Sequence, residues 1–200
     1  MNKFDKEAKN WDKKDKRVKN ALKIANRIKK QIEIKKDSYM LDYGCGSGLL
    51  TLAFIDDVRK IAGFDSSAGM LEVLNKKIKE QNLQNIKTKQ HNIETDSFKQ
   101  NKYDLVTSAM LLHHIKKPKS FIAKVYSALK DGGYLAIADL VKEDGSFHSN
   151  SDGIYHFGFE KSYIVDILRD NGFRNIEFSI VNKIEKNGKK YPVFLVTAKK

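Results

Sequence analysis

The fold of this chain follows from residues 41–48, which read Leu41-Asp42-Tyr43-Gly44-Cys45-Gly46-Ser47-Gly48. Apolar residues over 39–43 predict a short strand, and the alternate glycines after it predict a tight turn that opens a helix over 47–56. Gly44 and Gly46 have no Cβ, so the backbone can approach a ligand closely there. The dinucleotide-binding spacing Gly-x-Gly-x-x-Gly requires a glycine at position 49, where this chain has a leucine. The stretch therefore predicts a ligand cradle and disfavours a pyrophosphate site.

Strands and helices alternate along the rest of the chain, which predicts a parallel sheet covered by helices on both faces. Asn187-Gly188 is a two-residue turn typical of an antiparallel hairpin. We therefore expect an α/β, doubly wound, mostly parallel seven-strand sheet whose last strand is antiparallel. The predicted strands are 39–43, 59–64, 86–90, 103–108, 133–140, 174–181 and 190–198, and the predicted helices are 47–56, 67–82, 94–99, 118–130 and 160–170.

The N-terminal residues carry apolar side chains at helical spacing and predict one or two amphipathic helices before the sheet. We expect a single structural domain with a helical cap over 1–37 and a main unit over 38–200. Phe4 and Trp11 lie on the first of these helices. They can pack on the edge of the sheet or close over a bound ligand, and the sequence leaves both readings open.

Polar residues follow several of the predicted strands at their carboxyl ends. In a parallel sheet these ends meet at one edge, and ligands bind outside them where the strand order reverses. Asp65 is well placed to accept both hydrogen bonds from a ribose diol, since it lies 21 residues after Gly44. The sequence therefore predicts one shared site from residues that all end a strand, namely Asp42, Asp65, Asn92, Ser108 and Asp139.

Taken in order, these motifs resemble those of the class I S-adenosylmethionine-dependent methyltransferases over residues 38–200. The resemblance implies S-adenosylmethionine as cofactor, with Asp65 on the ribose, Asp42 and the Ser108 backbone at the amino-acid end, and Asn92 with Ile93 at the adenine. Asn92 stands where the family usually has an acid, so that contact lacks a charge. The implied cofactor-binding residues are Asp42, Gly44, Gly46, Asp65, Ser66, Asn92, Ile93 and Ser108.

The loop after the fourth strand indicates the class of acceptor. It lacks the Asp/Asn-Pro-Pro-aromatic motif of nucleobase-amine and glutamine methyltransferases, and 112–115, Leu-His-His-Ile, resembles small-molecule methyltransferases of the ubiquinone and menaquinone biosynthesis type. His114 and His156 are the candidate catalytic residues, because histidine can orient or deprotonate an acceptor. The long segment 141–159 predicts a lid with His148, Tyr155 and Phe157 against the acceptor, unless its aromatic residues only fix the loop to the domain.

The formal net charge of +13 raises the question of nucleic acid. Only five of the 38 basic residues are arginines, and the lysines are spread along the whole chain, which disfavours specific recognition of bases and phosphates. A small-molecule acceptor is therefore the expected partner. Two alternatives stay open, an RNA methyltransferase and a non-catalytic cofactor-binding regulator, the latter favoured only by Asn92.

Composition also limits the location and the metal content that we expect. The chain has no apolar run of about 18 residues and no signal peptide, which predicts a cytoplasmic protein without integral membrane association. The single Cys45 excludes an intramolecular disulfide. Histidine and cysteine spacings typical of metal sites are missing from the sequence, so we expect no metal.

Overall fold

A seven-stranded sheet forms the centre of the protein in the computed structural model, which describes residues 3–200. The strands are β1 (Tyr39–Tyr43), β2 (Lys60–Asp65), β3 (Ile86–Gln90), β4 (Tyr103–Ala109), β5 (Leu129–Leu140), β6 (Arg174–Lys186) and β7 (Lys189–Lys199). The strand order is β3-β2-β1-β4-β5-β7-β6, and β7 runs antiparallel to both β5 and β6 while the other neighbouring pairs are parallel. The predicted doubly wound sheet with an antiparallel last strand is confirmed.

Helices cover both faces because consecutive strand residues point to opposite sides. Leu135 and Ile137 pack on the face that carries the helices Pro118–Ala128 and Lys161–Asp170, whereas Ala136 and Ala138 pack on the face that carries the helix Asp15–Gln31. Across residues 3–200, no helix has both the length and the apolar character needed to cross a membrane. The α-helices are α1 (Lys3–Glu7), α2 (Asp15–Gln31), α3 (Ala68–Glu80), α4 (Pro118–Ala128) and α5 (Lys161–Asp170), and short 3₁₀ helices span Ala8–Lys13, Thr51–Phe54 and Leu112–His114.

The helix predicted over 47–56 is wrong: turns occupy its start, and only the 3₁₀ helix Thr51–Phe54 forms. Gly44, Gly46 and Gly48 have φ angles of +76°, +52° and +88°, so every second residue up to position 48 has a left-handed backbone conformation. Tertiary contacts maintain this conformation, since the Nζ of Lys77 donates to the Ser47 carbonyl at 2.7 Å. The chain therefore cannot begin an α-helix where its sequence pattern predicts one.

The short helix predicted near 94–99 is also absent from the structure, which has a turn at 93–95 and no regular secondary structure over 96–99. Asn92 competes for the backbone, because its side-chain oxygen accepts a hydrogen bond from the N–H of Glu94 at 3.0 Å. The Asp96 carboxylate accepts from the N–H of Asn92 at 2.9 Å. Such side-chain bonds replace the hydrogen bonds of a helix.

The hairpin predicted at Asn187-Gly188 is confirmed, and its strands extend further than expected. Both turn residues have positive φ angles, +50° and +74°, as the tight turns of β-hairpins require.

α2 packs across the sheet through Ile24 and Ile28, which are 1% exposed and share a core cluster with β1, β5 and β7. The division between a cap over 1–37 and a unit over 38–200 stays a prediction.

Candidate active site

A cavity of about 330 Å³ lies at the carboxyl ends of β1, β2 and β4. It gathers eight of the residues that the sequence predicts for the site, and it also includes apolar side chains from three separate loops. Its walls therefore combine polar groups at the strand ends with an apolar lining. The lining residues are Phe4, Tyr43, Gly44, Gly46, Asp65, Ser66, Met70, Asn92, Ile93, Glu94, Met110, Leu111, His114, Ile115, Lys116 and Tyr155.

The glycine turn needs its first glycine for reasons of space as well as conformation. A Cβ at Gly44 would lie 2.7 Å from the side chain of Leu111. Leu111 lines the same cavity, as do Gly44 and Gly46. The backbone of the turn therefore forms part of the cavity wall directly.

Asp65 ends β2 and is held firmly in this wall. Its Oδ2 accepts a hydrogen bond from the N–H of Gly46, and its Oδ1 accepts from the N–H of Ser67, both at 2.8 Å. Burial raises the pKa of the carboxyl, and these N–H groups act in the opposite direction. Each carboxylate oxygen has a second lone pair. Asp65 can therefore accept two further hydrogen bonds in a fixed orientation.

Asn92 and Ile93 lie in the same cavity, where the sequence predicts them. The Asn92 oxygen already accepts from the backbone of Glu94, so one of its two lone pairs is in use. Glu94 also lines the cavity, which places a carboxylate beside Asn92. Position 92 has an asparagine where the resemblance implies an acid, and Glu94 supplies a carboxylate two residues later.

A smaller cavity of about 110 Å³ adjoins the first, and Gly44, Gly46 and Met110 line both. Met110 has a φ angle of +55°, a strained value for a residue other than glycine, and such strain is concentrated at functional sites. The smaller cavity is also lined by Trp11, Arg17, Asn20, Ala21, Ile24, Asp42, Cys45, Ser47, Leu49, Leu50 and Ala109.

Asp42 is fully buried at the end of β1 and lines the smaller cavity. The hydroxyls of Thr51 and Thr107 donate to its two oxygens at 2.6 and 2.8 Å. Burial raises the pKa of Asp42 to about 6, although both hydrogen bonds lower it. Ser108 lines neither cavity, and its buried Oγ has no hydrogen-bond partner within residues 3–200.

The N-terminal segment 3–13 folds over this edge of the sheet. Asp5 accepts hydrogen bonds from the Ser67 hydroxyl at 2.6 Å and from the N–H of Gly69 at 3.0 Å. Asp12 accepts from the Ser47 hydroxyl at 2.6 Å. These contacts hold Phe4 in the wall of the larger cavity and Trp11 in the wall of the smaller one. The geometry favours a segment that closes over a ligand.

His114 is the histidine that reaches the larger cavity. Its Nδ1 lies 2.7 Å from the carbonyl of Gly153, which can only accept a hydrogen bond, so Nδ1 carries the proton and Nε2 carries the lone pair. Burial, helped by the charge of nearby His113, lowers the pKa of His114 to about 4. His114 is therefore neutral at neutral pH and has an accepting nitrogen.

His113 lies beneath His114 and pairs with Asp139 at the end of β5. Its Nδ1 lies 2.7 Å from Oδ1 of Asp139, and both side chains are almost fully buried. The ring centroids of His113 and His114 are 4.1 Å apart. This pair fixes the loop on which His114 stands. No group of three or more histidine, cysteine, aspartate or glutamate residues in the described chain is arranged to hold a metal ion.

The remaining predicted residues of segment 141–159 divide between the cavity and the loop. Tyr155 lines the cavity, and the Nζ of Lys116 lies 5.4 Å from the centroid of its ring. His156 lies outside and donates from Nε2 to the Ile115 carbonyl at 3.0 Å. His148 and Phe157 also lie outside the lining of the cavity, with the His148 ring 5.0 Å from that of His113.

Arg17, Glu94 and Met110 line the two cavities and are absent from the predicted site. Phe4 lines the larger cavity, in agreement with one of the two roles that the sequence leaves open for it. Arg17 lies on α2, remote in sequence from the motifs. The sequence predicts only that Arg17 lies on an amphipathic helix, and this does not indicate a ligand. These residues reach the site through tertiary contacts.

A family model described as "Methyltransferase domain" matches residues 34–172. An uncharacterized methyltransferase of Schizosaccharomyces pombe is 28% identical over 168 residues, which cover 76% of this chain and 58% of the relative. The ubiquinone biosynthesis O-methyltransferase of Coxiella burnetii is 32% identical over 108 residues, which cover 54% of this chain and 45% of the relative.

Among solved structures, Haemonchus contortus phosphoethanolamine N-methyltransferase 2 in complex with S-adenosyl-L-methionine superposes with a TM-score of 0.75 and 17% identity, covering 100% of this chain and 60% of that one. This likeness shows the fold. The family match spans more than half of the chain, so the chain belongs to the class I S-adenosylmethionine-dependent methyltransferases, as its motifs predict. The chain spans about half the length of the curated relatives it matches.

Proposed function

We propose that this chain binds S-adenosylmethionine and transfers its methyl group to a small-molecule acceptor. The observation that carries the proposal is Asp65, held by the N–H groups of Gly46 and Ser67 in the wall of a 330 Å³ cavity beside the glycine turn. The two hydroxyls of a vicinal diol need two hydrogen-bond acceptors at a fixed spacing. A carboxylate whose orientation is fixed by backbone N–H groups supplies them. The related N-methyltransferase structure contains S-adenosylmethionine.

The larger cavity suits the nucleoside part of the cofactor. Asp65 would bind the ribose, and Asn92 with Ile93 would hold the adenine; Ser66 lines the same cavity. The backbone at Gly44 and Gly46 would lie against the cofactor where it passes into the smaller cavity. Asp42 would serve the amino-acid end there. Ser108 lines neither cavity, so only its backbone remains in the proposal.

The bound cofactor supplies an activated methyl group on a sulfonium. The protein then has to align the acceptor with that methyl, and such alignment is worth about 7–11 kcal/mol. His114 can accept a hydrogen bond from an acceptor hydroxyl through Nε2, which orients the oxygen lone pair. As the oxygen takes the methyl, its proton becomes far more acidic than an imidazolium proton. A histidine with a pKa of about 4 is therefore basic enough to remove it.

A small molecule is the proposed acceptor because the cavity is partly apolar and is narrowed by Phe4 and Tyr155. The Coxiella burnetii relative is named for ubiquinone biosynthesis and for O-methylation, which agrees with a hydroxyl acceptor. The catalytic role predicted for His156 has weaker support, since this side chain binds the Ile115 carbonyl outside the cavity.

The test measures S-adenosylhomocysteine affinity by calorimetry for Asp65→Ala and for Asp56→Ala, an exposed acid at the protein surface, as matched control. We expect Asp65→Ala to weaken binding at least a hundredfold, because two charge-assisted hydrogen bonds are lost, about 1.5–3 kcal/mol each. Asp56→Ala should bind as the unmodified chain does. Equal affinity for both variants would remove Asp65 from the site.

Transfer itself is tested with radiolabelled S-adenosylmethionine against catechols, quinols and bulk RNA. Label in a small phenolic product supports the proposal. Label in RNA, or cofactor binding without transfer to any of these acceptors, would favour one of the two alternatives left open by the sequence.

A further inference from the structure

We propose that Asp139 and His113 are positioning residues that fix the acceptor side of the active site, by joining the loop after β4 to the long segment after β5. The inference rests on the proposed function and deepens it. It gives a role to Asp139, which the sequence places in the shared site but which lines neither cavity. His113 lines neither cavity as well, so both residues act through His114 and Tyr155, which line the larger one.

The acceptor side of the larger cavity comes from two separate pieces of chain. His114 lies in the loop 110–116 after β4, and Tyr155 lies in the segment 141–159 after β5. The cofactor side has a support of its own, because backbone N–H groups hold Asp65 in place. Alignment of an acceptor therefore depends on how firmly the two pieces are held against each other.

Four hydrogen bonds join the two pieces, and two of them end on the same carbonyl. The N–H groups of Tyr155 and His156 donate to the carbonyl of His113 at 3.0 and 3.2 Å. The other two run from the side chains of His114 and His156 to backbone carbonyls of the opposite piece, at 2.7 and 3.0 Å. His113 therefore lies at the centre of the junction, and the position of Tyr155 depends on that of His113.

Asp139 holds His113 by its ring and by its backbone. Oδ1 of Asp139 lies 2.7 Å from Nδ1 of His113, and Oδ2 accepts from the N–H of His113 at 3.2 Å. Oδ1 also accepts from the N–H of Leu140 at 2.7 Å, which fixes the carboxylate on β5. Burial raises the pKa of this carboxyl, but the charge of His113 and the hydrogen bonds together lower it below its usual value. An ionised, fully buried carboxylate therefore anchors the junction to the sheet.

The test compares Asp139→Asn with Asp104→Asn as matched control. Asp104 is a carboxylate of β4 that also accepts from a backbone N–H, that of Tyr39 at 2.8 Å, and it lines neither cavity. An amide at position 139 has one accepting oxygen instead of two, so one of the two bonds to His113 is lost.

We expect Asp139→Asn to lower kcat about 10- to 100-fold and to raise the KM of the acceptor, since misplacement at the site slows the reaction by this order. The dissociation constant of S-adenosylhomocysteine should stay unchanged. Asp104→Asn should leave all three quantities unchanged. A pair that only stabilises the fold would lower the stability of the variant and leave the turnover of the folded enzyme as it is.

Hydrogen exchange gives a second readout, which does not depend on catalysis. The amides of Tyr155 and His156 donate to His113, so both should exchange about tenfold faster or more in Asp139→Asn than in the unmodified chain. Asp104→Asn should leave both amides unchanged. Exchange at the unmodified rate in Asp139→Asn would overturn the junction.

Two substitutions at position 113 separate the hydrogen bond from the imidazole, and they also serve if Asp139→Asn does not fold, as judged by circular dichroism. Asparagine has an NH₂ group that can donate to Asp139, so His113→Asn should retain methyl transfer within about threefold. His113→Leu has no donor and should lose as much transfer as Asp139→Asn. Equal transfer by these two variants, whether high or low, would overturn the positioning role.

The outcomes keep this inference apart from the proposed function. Weaker binding of S-adenosylhomocysteine by Asp139→Asn, in parallel with slower transfer, would place the pair on the cofactor side and overturn the inference. Unchanged kcat and KM in the folded variant would also overturn it. If the unmodified chain transfers no methyl group to any acceptor, the proposed function itself fails, and hydrogen exchange still decides whether the pair joins the two pieces of chain.

Discussion

Asp42→Asn should stabilise the fold and weaken cofactor binding at the same time. Burial raises the pKa of Asp42 from 3.8 to about 6, so the folded protein binds this proton more tightly than the unfolded chain does. The stabilising contribution of the proton is fully present below pH 3.8 and is lost as the pH rises through 6. At neutral pH the ionised carboxylate therefore destabilises the protein.

The size of the effect follows from the shift in pKa. At pH 8 the ionisation of Asp42 costs about 3 kcal/mol of folding free energy, and at pH 5 about 1.5 kcal/mol. An asparagine has nearly the same shape and has no charge to bury. Its oxygen can accept from one threonine hydroxyl while its NH₂ donates to the other, so the contacts with Thr51 and Thr107 can persist.

Urea unfolding of both proteins at pH 5 and pH 8 measures this effect. We expect the variant to gain stability over the unmodified chain, with a gain larger at pH 8 by about 1.5 kcal/mol. Asp56→Asn, at an exposed position, is the control for the loss of one carboxylate from the surface. A gain that is equal at the two pH values, or a loss that grows with pH, would refute the reasoning. Calorimetry of the variant should also show S-adenosylmethionine binding weakened about tenfold, since the ammonium loses its anion.

Two further predictions concern His114 and the glycine turn. His114→Ala should lower methyl transfer to the best small-molecule acceptor about 10²- to 10⁴-fold with cofactor affinity unchanged. In the unmodified chain, His114 should add no inflection to the pH–rate profile between pH 6 and 8, because its pKa is about 4. Equal turnover in single-turnover assays would return it to a structural role. Gly48→Ala should cost about 2–4 kcal/mol in urea unfolding, because its Cβ would lie 2.4 Å from Leu74 in a left-handed conformation. Gly153→Ala is the control at a similar φ angle with open space around it, and an equal cost in both variants would contradict the steric argument.

The sheet was predictable because its strands are short apolar runs bounded by turn residues. Residues 39–43 and 86–90 form strands as predicted, and Asn187-Gly188 makes the expected hairpin. The helix predicted over 47–56 is wrong because the glycine turn extends to position 48: Gly44 and Gly48 have positive φ angles, and Leu111 and Leu74 occupy the space that a Cβ would need there. The periodicity of apolar residues predicts which face of a strand or helix is buried. It does not predict a backbone conformation that depends on side chains distant in sequence.

The lining of the larger cavity was predictable where its residues follow strands, since topology brings those strand ends together. Asp65, Asn92 and the glycine turn meet in one cavity for that reason. Phe4 and Arg17 follow no strand and could not be found in this way. Phe4 belongs to α1, which folds back to reach Ser67 through Asp5, and Arg17 stands on α2. His156 was predicted as a catalytic residue from its residue type, and it binds the Ile115 carbonyl outside the cavity.

The central claim is that the cradle at 41–48 and Asp65 hold S-adenosylmethionine. Calorimetric titration of the purified protein with S-adenosylmethionine, S-adenosylhomocysteine and NADH tests it most directly. We predict saturable, one-to-one binding of the first two ligands and none of NADH, because position 49 lacks the glycine that a dinucleotide requires. Binding of NADH in preference to the other two, or no binding of either S-adenosyl ligand, would contradict the claim.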